Sequence, residues 1–223
     1  MELVESIRED IMIFFHNNKE LLFNERDFQM HLVLWLRKSV NKYDDVDLEY
    51  YIPSGVLNCK ENEKTLLGND LKIDIVVKKD GEYCPIELKY KTKKVNQSIT
   101  RFGEKLNDVT VIKNQGARDL GMYNFWRDVR RVELIRNRFE TVKNGLVVFL
   151  TNDVAYTKHA KEEFNYKNFS MSEGKLHPKK KCWNGDFALA DKYVAFEVEK
   201  EYVIEWDKKE IEGVEFYFCV LTI

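Results

Sequence analysis

The sequence predicts an α/β fold in which a central mixed β-sheet is flanked by helices. Three patterns predict it: amphipathic helices open the chain, an antiparallel hairpin lies near residues 71–90, and an apolar strand follows a long helix at residues 145–150. An apolar strand without alternation is typical of a sheet that is covered on both faces. Helices and strands in this order indicate a sheet between helical layers.

The first two elements are predicted to be helices. Apolar residues recur at helical spacing from Leu3 to Phe15. A second helix is predicted to begin near Asn24, which is a favourable N-cap, with Asp27 at the position of a capping-box acid. Its apolar positions continue to Leu36.

A strand and a hairpin are predicted next. The stretch Val46–Ile52 alternates between apolar and polar residues, and residues 58–70 read as a polar loop. The hairpin consists of strands Leu71–Lys78 and Tyr83–Tyr90, joined by a two-residue turn at Asp80-Gly81.

The second half of the chain gives weaker signals. Residues 91–116 are polar, and their structure is left open. A long helix is predicted over Ala117–Phe139 and a buried strand over Gly145–Leu150, followed by helical and loop segments to about residue 191. The tail, Val194–Ile223, predicts two or three strands, which we expect to form a C-terminal β extension over about residues 190–223.

Length and composition indicate one domain over residues 1–223. Apolar residues make up 44% and charged residues 33% of the chain, which excludes a disordered protein. No apolar run approaches 18 residues, and the acidic N-terminus lacks the basic start of a secretory signal. We therefore expect a cytoplasmic protein that does not associate with membranes.

The hairpin turn fixes which residues face each other. With two residues in the turn, Asp74 stands across from Glu87, and Lys72 stands across from Lys89. Because side chains alternate along a strand, these four residues are expected to share one face. The other face, expected to be core, carries Ile73, Ile75, Ile86 and Leu88.

Two directly opposed carboxylates destabilise a sheet by up to about 1 kcal/mol, so we expect a compensating cation. Mg²⁺, with Mn²⁺ as a substitute, suits oxygen ligands from Asp74, Glu87 and the backbone carbonyl of Leu88. Lys89 would then position the attacking water or stabilise the transition state of phosphodiester hydrolysis. The alternative is an exposed hairpin face held together by salt bridges.

The segments Ile73-Asp74-Ile75-Val76 and Pro85-Ile86-Glu87-Leu88-Lys89 resemble the paired signature of the PD-(D/E)XK, or restriction-endonuclease-like, nuclease superfamily. The resemblance covers about residues 20–155, although Ile73 replaces the usual proline. It implies a restriction-endonuclease-like core with extra C-terminal strands. It also implies a Mg²⁺-dependent hydrolase of phosphodiester bonds, with DNA as the expected substrate.

In such proteins an upstream helix often contributes another acid, and Glu25 matches that position. Glu25 lies on the same helical stripe as Phe28 and Leu32, so it can point toward the sheet. The alternative is an acid that merely favours the helix dipole. Glu49 is a second candidate with a weaker case.

The charge distribution bears on the expected partner. The net charge of −2 argues against nucleic-acid binding by the whole surface, but six arginines lie between residues 117 and 138. The alternative for these arginines is a solvated face with ion pairs. The residues expected to contact nucleic acid are Lys72, Lys91, Arg127, Arg130 and Arg131.

Three functions compete. The first is a metal-dependent nuclease, and the second is an inactive module of the same fold that binds nucleic acid or a partner protein. The third is an interaction protein that uses its acidic C-terminal strands. The choice between DNA and RNA, the mode of cleavage and the formation of a homodimer stay open.

Overall fold

The computed structural model describes residues 2–38, 42–57, 64–67, 70–185 and 188–223. The first half of the chain forms, in order, α1 (Leu3–Asn17), α2 (Glu25–Lys38), β1 (Asp45–Pro53), α3 (Lys64–Leu67), β2 (Asp70–Lys79), β3 (Glu82–Lys91), β4 (Val95–Arg101) and β5 (Glu104–Ile112). The second half forms α4 (Arg118–Arg138), β6 (Leu146–Thr151), β7 (Leu176–His177), β8 (Lys180–Lys181), β9 (Phe196–Glu197), β10 (Tyr202–Val203), β11 (Asp207–Ile211) and β12 (Val214–Thr222). None of the helices described is both long and apolar enough to cross a membrane.

Six strands form one central sheet in the order β1-β2-β3-β6-β12-β11. Strands β3 and β6 pair in parallel, and the other neighbours pair antiparallel. Parallel neighbours need a crossover connection, and the chain between β3 and β6 contains α4. The predicted α/β class with a mixed sheet is therefore confirmed.

Helices cover both faces of this sheet. The core on one face joins α1 and α2 to alternate residues of β6, namely Leu146, Val148 and Leu150. The core on the other face joins α4 to Val147 and Phe149. All six residues of β6 are buried, which explains why the strand is apolar throughout.

The predicted start of α2 is confirmed. The backbone N–H of Asp27 donates to Asn24 Oδ1 at 2.9 Å. In return, Asp27 Oδ2 accepts from the N–H of Phe23 at 2.9 Å. The two side chains thereby satisfy backbone donors at the helix start, which fixes where α2 begins.

The polar stretches contain regular structure that the sequence does not predict. The loop prediction for residues 58–70 was wrong at α3, where Leu66 and Leu67 are buried; residues 58–63 and 68–69 lie outside the described residues. Residues 91–116, for which the sequence favours no particular structure, contain the antiparallel pair β4–β5. Most of its side chains are exposed, so no apolar alternation marks it in the sequence.

The C-terminal strands complete the central sheet instead of forming an addition beside it. Strand β12 pairs with β6 from Thr222–Leu146 to Tyr217–Thr151, and β11 follows at the edge. The ring of Phe218 stacks on Phe15 of α1 with centroids 4.2 Å apart. Strand β12 therefore contributes to both cores, with Phe218 on the side of α1 and Leu221 on the side of α4.

The hairpin register was predicted correctly from the turn to Ile75–Ile86, but the ladder ends before the expected pairs Asp74–Glu87 and Lys72–Lys89, and side-chain alternation breaks at Asp74. All five β2–β3 pairs, from Lys79–Glu82 to Ile75–Ile86, follow the expected register. Ile75 packs on the α1–α2 side as expected, together with Ile86 and Leu88. Ile73 instead packs against α4 with Val76, so placing it on the same face was wrong. Glu49 in β1 has a left-handed φ of 50°, which accompanies the irregularity.

Candidate functional site

The candidate site begins where β2 and β3 separate. Their backbone pairing ends at Ile75 and Ile86. Just beyond, the N–H of Leu88 donates to Asp74 Oδ2 at 2.6 Å. A carboxylate therefore occupies the position where a backbone carbonyl would accept in a continued ladder, and the strands open at this point.

Glu25 has the same role further along β3. Its Oε2 accepts from the N–H of Tyr90 at 3.0 Å. The predicted inward direction of Glu25 from the first turn of α2 is confirmed by this bond. Two carboxylates from different elements thus line the opened edge of β3 and satisfy its alternate N–H groups.

Glu87 and Lys89 lie on the face of β3 that α4 covers. Lys89 Nζ is 2.7 Å from Asp128 Oδ2. Arg131 Nη1 is 3.2 Å from Glu87 Oε1 and 3.2 Å from Asp128 Oδ1. We call Asp74, Glu87, Lys89, Asp128 and Arg131 the charge cluster.

The charge cluster is largely removed from solvent. Glu87 is 2% exposed and Asp128 is 0% exposed. The side chains of Lys89 and Arg131 are 12% and 11% exposed. At such depth each charge needs a partner, because ions that lose their hydration without compensation cost several kcal/mol.

The compensation is uneven among the acids. Burial raises the pKa of Glu87 well above its usual value, and Asp128 raises it further, while Arg131 opposes the rise. Burial likewise raises the pKa of Asp74, although Lys89 and the N–H of Leu88 counteract it. For both acids, burial therefore disfavours the carboxylate form more than the neighbouring positive charges favour it.

Asp128 and Lys89 behave as a stable ion pair. Burial alone would raise the pKa of Asp128, but Lys89, Arg127 and Arg131 outweigh it and lower that pKa. Burial alone would lower the pKa of Lys89, but Asp128 leads the nearby acids that raise it. Lys89 is therefore a fixed cation, and its Nζ also donates to the carbonyl oxygen of Leu88 at 2.9 Å.

A Mg²⁺ ion at the charge cluster would have few protein ligands. No described residue donates a hydrogen bond of good geometry to the buried Glu87 Oε1. Within the described ranges, no three His, Cys, Asp or Glu side chains group closely enough to hold a metal ion. Mg²⁺ often takes only one or two carboxylates and keeps several waters, and Asp74, Glu87 and the Leu88 carbonyl would be that smaller ligand set.

Three of the basic residues expected to contact nucleic acid lie at or near the charge cluster. Arg131 belongs to it, and Arg127 Nε is 3.5 Å from Asp128 Oδ1. Half-buried Lys91 is close enough to Glu25 and Lys89 for both to affect its pKa, which burial lowers.

The other two lie elsewhere. Arg130 Nη1 is 3.3 Å from Glu133 and 3.6 Å from Glu199, away from the charge cluster. Lys72 is exposed and sits between Leu71 and Ile73, both of which pack toward α4. By alternation it points away from α4, so its expected place beside Glu87 and Lys89 was wrong.

Two residues of the site were missed by sequence reasoning. The sequence suggests Asp128 only as a partner for surface arginines, yet it lies on the buried stripe of α4 with Phe125 and Val132. An acid on an apolar helical stripe was the signal available. The amide of Gln29, in α2, donates to the Asp74 backbone carbonyl at 2.8 Å and to Glu49 Oε1 at 3.1 Å.

The fold and site together define an α/β protein with a buried acid–lysine cluster at the point where two sheet strands separate. Comparison of the chain with protein-family models, curated proteins and solved structures gave no match. Its function must therefore be inferred from the residues themselves.

Proposed function

We propose that the protein is a cytoplasmic, metal-dependent nuclease of the PD-(D/E)XK kind that hydrolyses phosphodiester bonds in DNA. One observation carries the proposal: Glu87 is a fully buried acid whose pKa is raised and whose Oε1 receives no well-formed hydrogen bond from the described residues. Arg131 lowers the pKa of this acid but does not outweigh burial, so the site can accept further positive charge. A divalent cation beside it would supply that charge.

Asp74, Glu87 and the carbonyl oxygen of Leu88 would hold Mg²⁺. A bound divalent cation polarises phosphoryl oxygens and promotes ionisation of the attacking water. The Leu88 carbonyl has two lone pairs, so it can accept from Lys89 and still offer an oxygen. Asp74 is kept in place by the Leu88 N–H and, through its backbone, by Gln29.

Lys89 would stabilise the negative charge that develops on the phosphoryl group. Its ammonium is positioned by Asp128 at 2.7 Å and needs no movement to act. Preorganised charges in a site shielded from water are worth more than the same charges in solvent. Glu25 would orient water at the opened edge of β3, and Arg131 would restrain Glu87.

Cleavage of plasmid and linear DNA with and without Mg²⁺ or Mn²⁺ tests this proposal. We expect cleavage that a chelator abolishes, and a loss of at least about a hundredfold in Asp74→Ala or Glu87→Gln. Glu82→Gln, on the same hairpin but next to the turn, should keep full activity. Activity that survives in either site variant, or that ignores the metal, would reject the assignment.

The second candidate is an inactive module on the same fold that binds nucleic acid or a partner protein. The ion pairs Lys89–Asp128 and Arg131–Glu87 favour it, because they neutralise some of the cluster's charge without a metal. Such a module would associate with DNA, or with a protein, to the same extent in Mg²⁺ and in chelator, and the DNA would stay intact.

A further inference from the structure

The pair β4–β5, which we call the ribbon, is largely exposed. Its base is anchored, since Ile112 is buried and Val95 and Val111 pack against the α1–α2 core. The remaining side chains are exposed or half-buried. Two register irregularities interrupt the pairing, between Val95 and Asn96 and between Gln97 and Ile99; such bulges bend and twist a two-stranded ribbon.

The tip of the ribbon carries an aromatic side chain with no packing of its own. Phe102 is 105% exposed, which makes it the most exposed of the protein's large apolar residues described. Phe102 and Gly103 form the turn with φ values of 53° and 83°. Asn or Asp usually fills the first position of such a turn. A bulky residue there is strained, and no contact within the described residues offsets the strain.

The base of the ribbon is basic in an acidic chain, because Lys93, Lys94 and Lys113 lie there, whereas Arg101 and Lys105 balance Glu104 and Asp108 within the ribbon itself. Residues 93–113 have a net charge of +3, whereas the whole chain has −2. The charged residues are Lys93, Lys94, Arg101, Lys105 and Lys113 against Glu104 and Asp108. Lys93 pairs with Asp153 at the base of the ribbon, and Arg101 and Lys105, which flank the tip, are exposed.

The ribbon also lies near the start of α2 and the opened edge of β3. It leaves β3 four residues after Lys91, the end of the strand that carries Glu87 and Lys89. The guanidinium of Arg101 is 5.0 Å from the ring centroid of Phe23. Phe23 precedes Glu25 by two residues, so the tip is close to the start of α2. Glu25 from this helix start reaches the opened edge of β3.

We propose that the ribbon enters a groove of duplex DNA and that Phe102 acts as a wedge between neighbouring base pairs. A two-stranded ribbon is of a size that a DNA groove admits, and apolar wedges on basic elements unstack and kink a duplex. Arg101 and Lys105 contact the phosphates on either side. This inference rests on the proposed function and adds to it: the enzyme acts on a duplex that the ribbon has deformed next to the site.

Binding of a duplex that contains 2-aminopurine, measured in chelator so that no cleavage occurs, tests the inference. We expect fluorescence to rise as the probe base is unstacked. Phe102→Ala should abolish that rise and weaken binding about tenfold. Leu176→Ala, which removes another exposed apolar side chain outside the ribbon, should change neither signal. Lys105→Ala should lower the slope of log affinity against log salt by about one.

The outcomes separate the ribbon from the catalytic proposal. Binding and unstacking that depend on Phe102 support the ribbon even if no metal-dependent cleavage is found. If cleavage requires Glu87 but binding does not depend on Phe102, the proposed role of the ribbon is overturned and the proposed nuclease activity is not. Absence of duplex binding overturns the inference, as does a self-association that Phe102→Ala abolishes in sedimentation, because the tip would then bind a second copy of the chain.

Discussion

Glu87 is 2% exposed next to Arg131, and burial raises its pKa. The folded protein therefore holds the proton of this acid more tightly than the unfolded chain does. The stability that this acid contributes is present below its unfolded pKa of about 4.5 and is lost as pH rises through the folded-state pKa. As pH rises above that unfolded value, the buried acid stabilises the fold progressively less.

Replacing Glu87 with Gln removes the ionisable group but keeps an oxygen that can accept from Arg131. We expect Glu87→Gln to be more stable than the unaltered protein by about 1–3 kcal/mol at pH 8 in chelator, and by much less at pH 4. Urea unfolding at both pH values measures this, with Glu82→Gln as the matched control. A variant that is less stable at pH 8 would show that Arg131 already satisfies Glu87.

At the residue scale, the sequence was enough to propose Asp74, Glu87 and Lys89 as candidates and to predict the β2–β3 pairing as far as Ile75–Ile86. It was not enough to find their partners. Asp128 reaches Lys89 only through the crossover that brings α4 over β3, and no local pattern encodes that distance. The predicted position of Lys72 was wrong for a different reason. Side-chain alternation assumes a regular strand, and β2 is irregular at Asp74.

At the scale of elements, long apolar patterns were predicted well and exposed strands were not. Burial produces a regular apolar pattern in three elements, which the sequence shows directly: the amphipathic helices α1 and α2 and the wholly apolar strand β6. The ribbon buries little beyond Ile112, so its pairing leaves no apolar periodicity. Strand β12 was recognised as a strand, but its neighbours in the sheet depend on long-range pairing with β6.

The position of β12 inside the sheet gives a prediction about stability. Phe218 is 1% exposed and stacks on Phe15, so Phe218→Ala should destabilise the whole fold by about 3–5 kcal/mol. Circular dichroism and tryptophan fluorescence should report one shared unfolding transition. Phe102→Ala, at a fully exposed site, should shift stability by no more than about 0.5 kcal/mol. If Phe218→Ala melts only the C-terminal segment, β12 is a separable addition.

At the scale of the whole molecule, helices on both faces explain why the candidate site is buried. The sheet opens between β2 and β3, and α2 and α4 approach that opening from opposite sides with Glu25 and Asp128. The class of fold followed from the order of the elements. The burial of the site could not be predicted from that order, because it depends on how two helices from distant regions of the chain pack against one strand.

We propose that Asp74 and Glu87 together hold one divalent ion beside Lys89. Titration with Mn²⁺, followed by electron paramagnetic resonance of the free ion, tests it without reference to activity. We expect one Mn²⁺ bound per chain at pH 8, competition by Mg²⁺, and loss of binding in Asp74→Asn and in Glu87→Gln. No bound Mn²⁺ in the unaltered protein, or undiminished binding in both variants, would contradict the account.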